Sequence, residues 1–227
     1  MFKKTLALAV LTASVGSYAQ TADSGFYLLT DLGYGKARDV ASKSDVDAML
    51  VGGFADFGIA VFDGRSSLDD SDFTFSVGAG YQFNRYFALE LAYVDLGEFE
   101  YKARGTISDG VATEHTKISL SHEVQAISLS AIGSYPFSDS LSGYVKGGVM
   151  VSDMDLKAKV SLPGLGVSES FKDDETDEDF HLGLGMQYDV NELWAITAEY
   201  SRIFDLGTRD LGESDYDRFS IGFKYRL

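Results

Sequence analysis

The sequence predicts an all-β protein: an eight-stranded antiparallel up-and-down transmembrane β-barrel with long extracellular loops. Three observations carry that prediction. Large apolar residues alternate with small or polar ones in eight separate segments, each about ten residues long. The connections between those segments alternate between short and long. Past the N-terminal leader, no stretch approaches the roughly 18 apolar residues a spanning helix needs.

The leader is MFKKTLALAVLTASVGSYAQ. Lys3 and Lys4 form a basic start, Thr5 to Gly16 a short apolar run, and Ser17-Tyr18-Ala19 a small-residue cleavage site. Residues 1–19 are therefore expected to be a signal peptide cleaved after Ala19, with 20–227 forming the barrel domain. The apolar run falls short of the roughly 20 residues of a membrane anchor.

The eight segments follow in order. In "GFYLLTDLGYGK" the row Phe26, Leu28, Thr30, Leu32, Tyr34 opposes Tyr27, Leu29, Asp31, Gly33, Gly35. In "DFTFSVGAGYQF" Phe73, Phe75, Val77, Ala79, Tyr81 oppose Thr74, Ser76, Gly78, Gly80, Gln82. "YFALELAYVDLG" sets Phe87, Leu89, Leu91, Tyr93 against Ala88, Glu90, Ala92. "AISLSAIGSY" sets Ile127, Leu129, Ala131, Tyr135 against Ser128, Ser130, Ser134, and the weaker "GYVKGGVMVS" sets Val145, Val149, Val151 against Lys146 and Gly148. "FHLGLGMQYDV" gives Phe180, Leu182, Leu184, Met186, Tyr188 against His181, Gly183, Gly185, Gln187. "LWAITAEYS" gives Trp194, Ile196, Ala198, Tyr200 against Ala195, Thr197, Glu199. "RFSIGFKYRL" closes with Phe219, Ile221, Phe223, Tyr225, Leu227 against Ser220, Gly222, Lys224, Arg226. In a membrane barrel the large row faces lipid and the small or polar row faces the lumen.

Pattern alone does not separate such a barrel from a soluble sandwich; the connections do. Asn84-Arg85, Pro136 to Ser142 and Asp189 to Glu192 are short, as periplasmic turns are. Lys36 to Asp72, Glu100 to Ser121, Lys157 to Asp179 and Asp205 to Asp217 are long, and are expected to be extracellular loops. Aromatic residues cluster at segment ends, where interfacial girdles belong. Asp95 shares parity with the lipid row, so either it stands above the hydrocarbon or a bulge near Leu96-Gly97 shifts the parity. The row is expected to resume in Phe99 and Tyr101, so that strands three and four project beyond the membrane. In the first long connection, Ser44 and Asp47 read as a capping box opening a short helix from about Asp45 to Gly52. The apolar character of this loop marks a lid over the projecting strands or a partner surface. A minority reading puts Phe54 to Phe62 in an extra hairpin, for ten strands. The last segment ends at Leu227, which is expected to leave no room for a C-terminal periplasmic domain.

The stretches "GAGYQFNRYFALELAYVDLGEFEY", "SYPFSDSLSGYVKGG", "GMQYDVNELWAITAEY" and "FSIGFKYRL" resemble the OmpA-like transmembrane barrels. The Gly-Tyr-Gln-Phe-Asn turn and the Glu-Leu-x-Tyr strand are the specific parts. The resemblance implies an eight-stranded barrel in the outer membrane of a Gram-negative bacterium, surrounded by lipid and lipopolysaccharide. It also implies insertion by the outer-membrane assembly machinery, which reads the terminal row Phe219, Ile221, Phe223, Tyr225, Leu227. The sequence departs from the family in lacking the peptidoglycan-binding domain of longer relatives and in ending on Leu227 rather than Phe.

Composition narrows the function classes. Without Lys3 and Lys4 the formal charge moves from −16 to −18, which repels nucleic acid. There is no cysteine, so a disulfide framework and thiolate metal sites are excluded. His115, His122 and His181 are too scattered for a recognisable metal site, and no motif places a serine nucleophile beside a base, so no catalytic, metal or cofactor residues are assigned. The run "ESFKDDETDED" reads as a solvated acidic loop, with divalent-cation bridging to lipopolysaccharide as the alternative. What remains is a set of charges on inward rows: Asp31, Glu90, Lys146, Glu199 and Lys224. Counted from the turns, they are expected to form one lumen layer of three acids and two bases, so neutralisation is incomplete. The leading expectation is a non-enzymatic outer-membrane protein supporting envelope integrity and surface interactions through its loops. The alternative is a narrow porin-like channel gated by the ion-pair cluster, and an outer-membrane enzyme stands third.

Overall fold

A computed structural model describes residues 24–38, 43–164, 167–206 and 214–227; the expected signal peptide and its cleavage site lie outside the described residues, as does most of the last long loop. The elements are β1 (Gly25–Ala37), α1 (Lys43–Asp56), β2 (Ala60–Asp69), β3 (Ser71–Asn84), β4 (Phe87–Ser108), β5 (Thr113–Pro136), β6 (Leu141–Leu162), β7 (Val167–Asp189), β8 (Trp194–Leu206) and β9 (Ser214–Arg226). Eight strands close into an antiparallel ring in the order β1-β3-β4-β5-β6-β7-β8-β9, with β9 returning to pair with β1. Closure leaves no sheet edge to meet hydrocarbon.

The turns at one end are tight because short polar side chains cap them. Asn84 Oδ1 accepts hydrogen bonds from the Tyr86 and Phe87 amides at 2.8 and 3.0 Å. Asn191 Oδ1 does the same for Leu193 and Trp194, both at 2.9 Å. Aromatic pairs ring the barrel at that end (Phe26 with Tyr81, Trp194 with Tyr225) and again higher up (Tyr34 with Phe73, Phe75 with Tyr93). Between the rings the outward row is exposed and apolar, including Leu91, Leu129, Leu184 and Ile221, while Ala88, Ser128, Ser130 and Ser220 face inward and are buried. Tyr135 to Ile127 covers about 26 Å along β5, close to the hydrocarbon height a barrel must present.

Three expectations are corrected. The second and third long connections are not loops: β4 and β5 run on as a paired hairpin to Ser108 and Thr113, and β6 and β7 to Leu162 and Val167. The alternation continues there with its sense inverted. Ile118, Val124 and Met154 turn inward while Lys102, Arg104, Lys117 and Lys159 face water, as in a soluble protein. A search for large residues facing outward misses such strands. Second, Phe99 and Tyr101 do not resume the lipid row. A bulge between Asp95 and Gly97 shifts the register, with Gly97 at φ 86° and its amide donating to Asp95 Oδ1 at 2.9 Å. Beyond it Tyr101 is buried and Phe99 packs edge-on against Tyr216. Third, the first long connection adds one strand outside the ring rather than a hairpin of residues 54–62: β2 pairs with the projecting part of β4, from Ala60 opposite Ser108 to Asp69 opposite Glu100.

Helix α1 extends past the expected Gly52 to Asp56. It is pinned through Asp47, whose carboxylate accepts from Ser66 Oγ (2.8 Å), the Tyr101 hydroxyl (2.5 Å) and Lys43 Nζ (2.9 Å). Those hydrogen bonds, Ser66's first, pull the Asp47 carboxyl down to about 2. The helix lies over β2 and β4, and a small open cleft of about 160 Å³ between them is lined by Leu50 and Phe54 of the helix and by Val61, Ala103 and Ile118 of the sheet.

Candidate functional site in the barrel lumen

Alternation turns one side chain in two into the lumen, and eight strands leave just enough width for those side chains to fill it. Four of the five expected charges meet there. Glu90 on β4 takes Lys146 Nζ at 3.0 Å through one oxygen and Lys224 Nζ at 2.9 Å through the other. Lys146 on β6 also reaches Glu199 on β8, at 3.1 Å. In the ring β4 and β8 stand opposite one another, so the chain Glu90–Lys146–Glu199 bridges the full lumen.

Two tyrosines complete the network. The Tyr27 hydroxyl donates to Glu90 at 2.9 Å and the Tyr144 hydroxyl to Glu199 at 3.0 Å. Lys224 Nζ lies 4.7 Å from the Tyr27 ring centre and 5.6 Å from that of Tyr144. Glycines on the inward row make room: a Cβ at Gly80 would come within 2.3 Å of the Tyr27 ring, and one at Gly185 within 2.2 Å of Tyr144. Burying isolated charges here would be costly, whereas two acids against two bases with further hydrogen bonds form a neutral unit.

Asp31 does not join this layer. It pairs with Arg218 on β9 and accepts from Ser76, one level nearer the outer end, while Arg218 Nε donates to Thr74 Oγ1 at 2.7 Å. Arg218 is buried and supplies the third base, so the expected imbalance of three acids against two bases disappears. The signal for Arg218 was in the sequence, since it shares parity with Ser220, Gly222 and Lys224. Its place before the last aromatic row hid it. Phe219, Ile221, Phe223 and Tyr225 lie along the outward row of β9, with Leu227 following.

Two further buried groups lie on the inward row of β7: His181, where the alternation places it, and Asp179, which the reading of 169–179 as a solvated acidic loop left out. His181 Nε2 lies 2.9 Å from Ser130 Oγ, and its Nδ1 has no hydrogen-bond partner among the described residues. A serine and a histidine thus touch, but no acid orients the ring and both are sealed in the barrel, so the pair lacks the third member and the access of a hydrolytic triad. Asp179 accepts from Ser152 Oγ at 2.5 Å. Among the described residues no group of three or more His, Asp or Glu side chains is placed to hold a metal ion.

Above the charges the lumen turns apolar. Leu96, Val124, Met150, Met154, Ile203, Leu206 and Tyr216 form a buried cluster across its outer end. The Tyr216 hydroxyl donates to the Leu96 carbonyl at 2.7 Å, tying β9 to the β4 bulge. The barrel is closed by its own walls at this level; α1, with Met49 exposed and Phe57 exposed just past its end, sits over the projecting sheet.

A family model described as the OmpA-like transmembrane domain matches residues 22–227. Outer membrane protein A of Yersinia pseudotuberculosis serotype I is 29% identical over 233 residues, a match covering 100% of this chain and 56% of the relative. Outer membrane protein A of Escherichia fergusonii is 27% identical over 237 residues, with the same coverage of 100% and 56%. This chain thus spans a little over half the length of these relatives. Among solved structures, the crystal structure of Neisserial surface protein A is similar in fold, with a TM-score of 0.50 at 16% identity over 90% of this chain and 99% of that one.

Proposed function

The chain belongs to the OmpA-like transmembrane family of outer-membrane β-barrels, and from that premise we propose that it is a non-enzymatic, closed barrel that supports envelope integrity and acts at the cell surface through its extracellular projection. The observation that carries this reading is the sealed lumen. A neutral ion-pair network spans it from β4 to β8, and the apolar cluster around Leu96 and Tyr216 caps it. A barrel so filled serves as a rigid anchor, and the surface it offers to other molecules is the sheet standing above the membrane. In this reading the chain reaches the outer membrane of a Gram-negative bacterium after cleavage at Ala19. The assembly machinery takes up the outward row of β9, and lipid with lipopolysaccharide surrounds the apolar belt.

The test is conductance of the folded protein in planar bilayers. The expected record is silence or brief, irregular current; steady unit conductance across a population of insertions sinks the closed-barrel reading. The narrow-channel alternative draws on the residual exposure of the Lys146 and Lys224 side chains, 16% and 12%. It requires the cap at Tyr216 to move aside. Tyr216→Ala separates the two: a channel with a movable cap gains current that the parent shows only intermittently, while a filled lumen stays silent.

A further inference from the structure

Charge on the projecting sheet is sorted into bands. Nearest the membrane, Glu98, Glu123, Asp155 and Asp174 stand directly opposite one another across β4, β5, β6 and β7. Higher up the sign changes, first on β6 and β7, while Glu100 opposite Asp69 still carries the acidic band on β4 and β2. Lys157 faces Lys172, and at the top Arg65, Arg104 and Lys117 form one row across β2, β4 and β5, with Lys159 diagonal to Lys117. All six are exposed. With Lys102 in the intermediate row they hold seven of the 19 basic residues of a chain whose net charge is −16.

Like charges set directly opposite destabilise a sheet, so this arrangement has no packing rationale. Nor are most of the cations neutralised locally. Lys102 pairs with Glu100 at 2.6 Å and Lys157 with Glu123 at 3.4 Å. Arg65, Arg104, Lys117, Lys159 and Lys172 have no acidic partner among the described residues.

We propose that this outer face of the projection binds a polyanionic polysaccharide, whose sulfates or carboxylates lie along the Arg65–Arg104–Lys117 row and descend past Lys159 to Lys157 and Lys172. The inference rests on the reading that the projection is the working end of a closed barrel. Two observations select this partner. First, the outward positions between the cations are serines, with Ser67 opposite Lys102, Ser119 between Lys102 and Lys159, Ser161 beyond Lys117 and Ser170 beyond Lys159. Hydroxyls suit a sugar chain, whereas a single-stranded nucleic acid needs aromatic rings to stack on. Second, the height is wrong for the membrane's own headgroups. Lys157 stands six residues above Val151 and Lys117 ten above Ile127, about 20 and 33 Å along tilted strands. A headgroup layer is only about 5 to 7 Å deep, and it meets the acidic band first.

The test uses the full chain folded in nanodiscs of phosphatidylcholine, with labelled dextran sulfate as the probe and neutral dextran as the control. Dextran sulfate should bind in a salt-sensitive way and neutral dextran should not. Arg65→Ser/Arg104→Ser/Lys117→Ser should lower affinity by about tenfold or more, since each lost cation removes an anion contact. Arg85→Ser, at a periplasmic turn, should leave it unchanged. Should the triple variant fail to fold, Lys157→Ser/Lys172→Ser provides the same comparison. Absence of binding, or equal binding by parent and variants, overturns the proposal. So does tighter binding of an oligothymidylate of equal charge, which assigns the face to nucleic acid. Loss of binding when lipopolysaccharide is incorporated into the disc also overturns it, because the membrane's own lipid then occupies the band. A silent barrel that ignores dextran sulfate sinks this proposal alone, and a conducting one that binds it sinks the closed-lumen reading alone.

Discussion

The same strands live in two solvents, and the two halves of β4 to β7 obey opposite rules. Inside the membrane Leu91, Leu129 and Leu184 face out while Glu90, Ser130 and His181 face in. Above it, Glu98, Lys117 and Lys159 face out while Tyr101, Ile118 and Met154 face in. Charge follows the same division. In the lumen every lysine meets a carboxylate, because nothing else there solvates it. On the projection, rows of like charge stand side by side, tolerated because water screens them. Strand geometry is common to both halves; the medium decides which row is polar and whether a charge must be matched.

The outward row of the membrane half is most sensitive at the last strand. Tyr225 lies in the outward aromatic ring beside Trp194, their ring centres 4.7 Å apart. Tyr225→Asp should leave the protein in the periplasm, whereas Leu227→Phe should insert as well as the parent or better. Cell fractionation decides, and normal outer-membrane levels of Tyr225→Asp would contradict the claim.

Next in size is the lumen. Lys146→Ala leaves Glu199 without a cationic partner and deprives Glu90 of one of two, a loss expected to cost about 3 to 5 kcal/mol. Removing Lys146 and Glu199 together leaves the Glu90–Lys224 pair intact and should cost much less. Conductance should stay silent in Lys146→Ala, because the apolar cluster around Leu96 and Tyr216 still closes the outer end. Urea unfolding in detergent and bilayer recording measure both: parental stability means the cluster does not brace the barrel, and steady current means that the ion pairs, not the cap, are the gate.

Arg at Leu91, at mid-belt on the lipid face, should cost about 2 to 4 kcal/mol. Ser substituted for Arg104 on the projection should change stability by no more than about 0.5 kcal/mol. Cysteines at 91 and 130 sharpen the contrast through a lipid-soluble quencher: position 91 should be quenched and 130 protected. The reverse order overturns the face assignment.

The smallest effect belongs to the acidic band. A hydrogen bond that the protonated Asp155 carboxyl donates to Asp174, then burial, holds it above the usual carboxylate range. A carboxyl raised in the folded state favours folding fully below its unfolded value and loses that contribution as pH rises through the folded one. The outer hairpin should therefore gain amide protection as pH falls through the carboxylate range, and Asp155→Asn should flatten that dependence. Hydrogen exchange of the β6–β7 hairpin provides the measurement; an unchanged profile in the variant removes Asp155 as the cause.

The sequence by itself determined the ring, its lipid face and the inward placement of Glu90, Lys146, Glu199 and Lys224. Period-two alternation assigns faces without knowledge of any partner, and the tight turns fix which strands are neighbours. Tertiary structure decided the rest. Strand stagger, which no single strand encodes, put Asp31 beside Arg218 rather than in the Glu90 layer. The bulge at Gly97 reversed the facing of Phe99 and Tyr101, a change that depends on a partner strand with one residue fewer. The pairing of β2 with β4 and the charge bands of the projection arise from register between segments far apart in the chain. Alternation is a local property and register a relation between strands, so only the folded sheet shows which charges face one another.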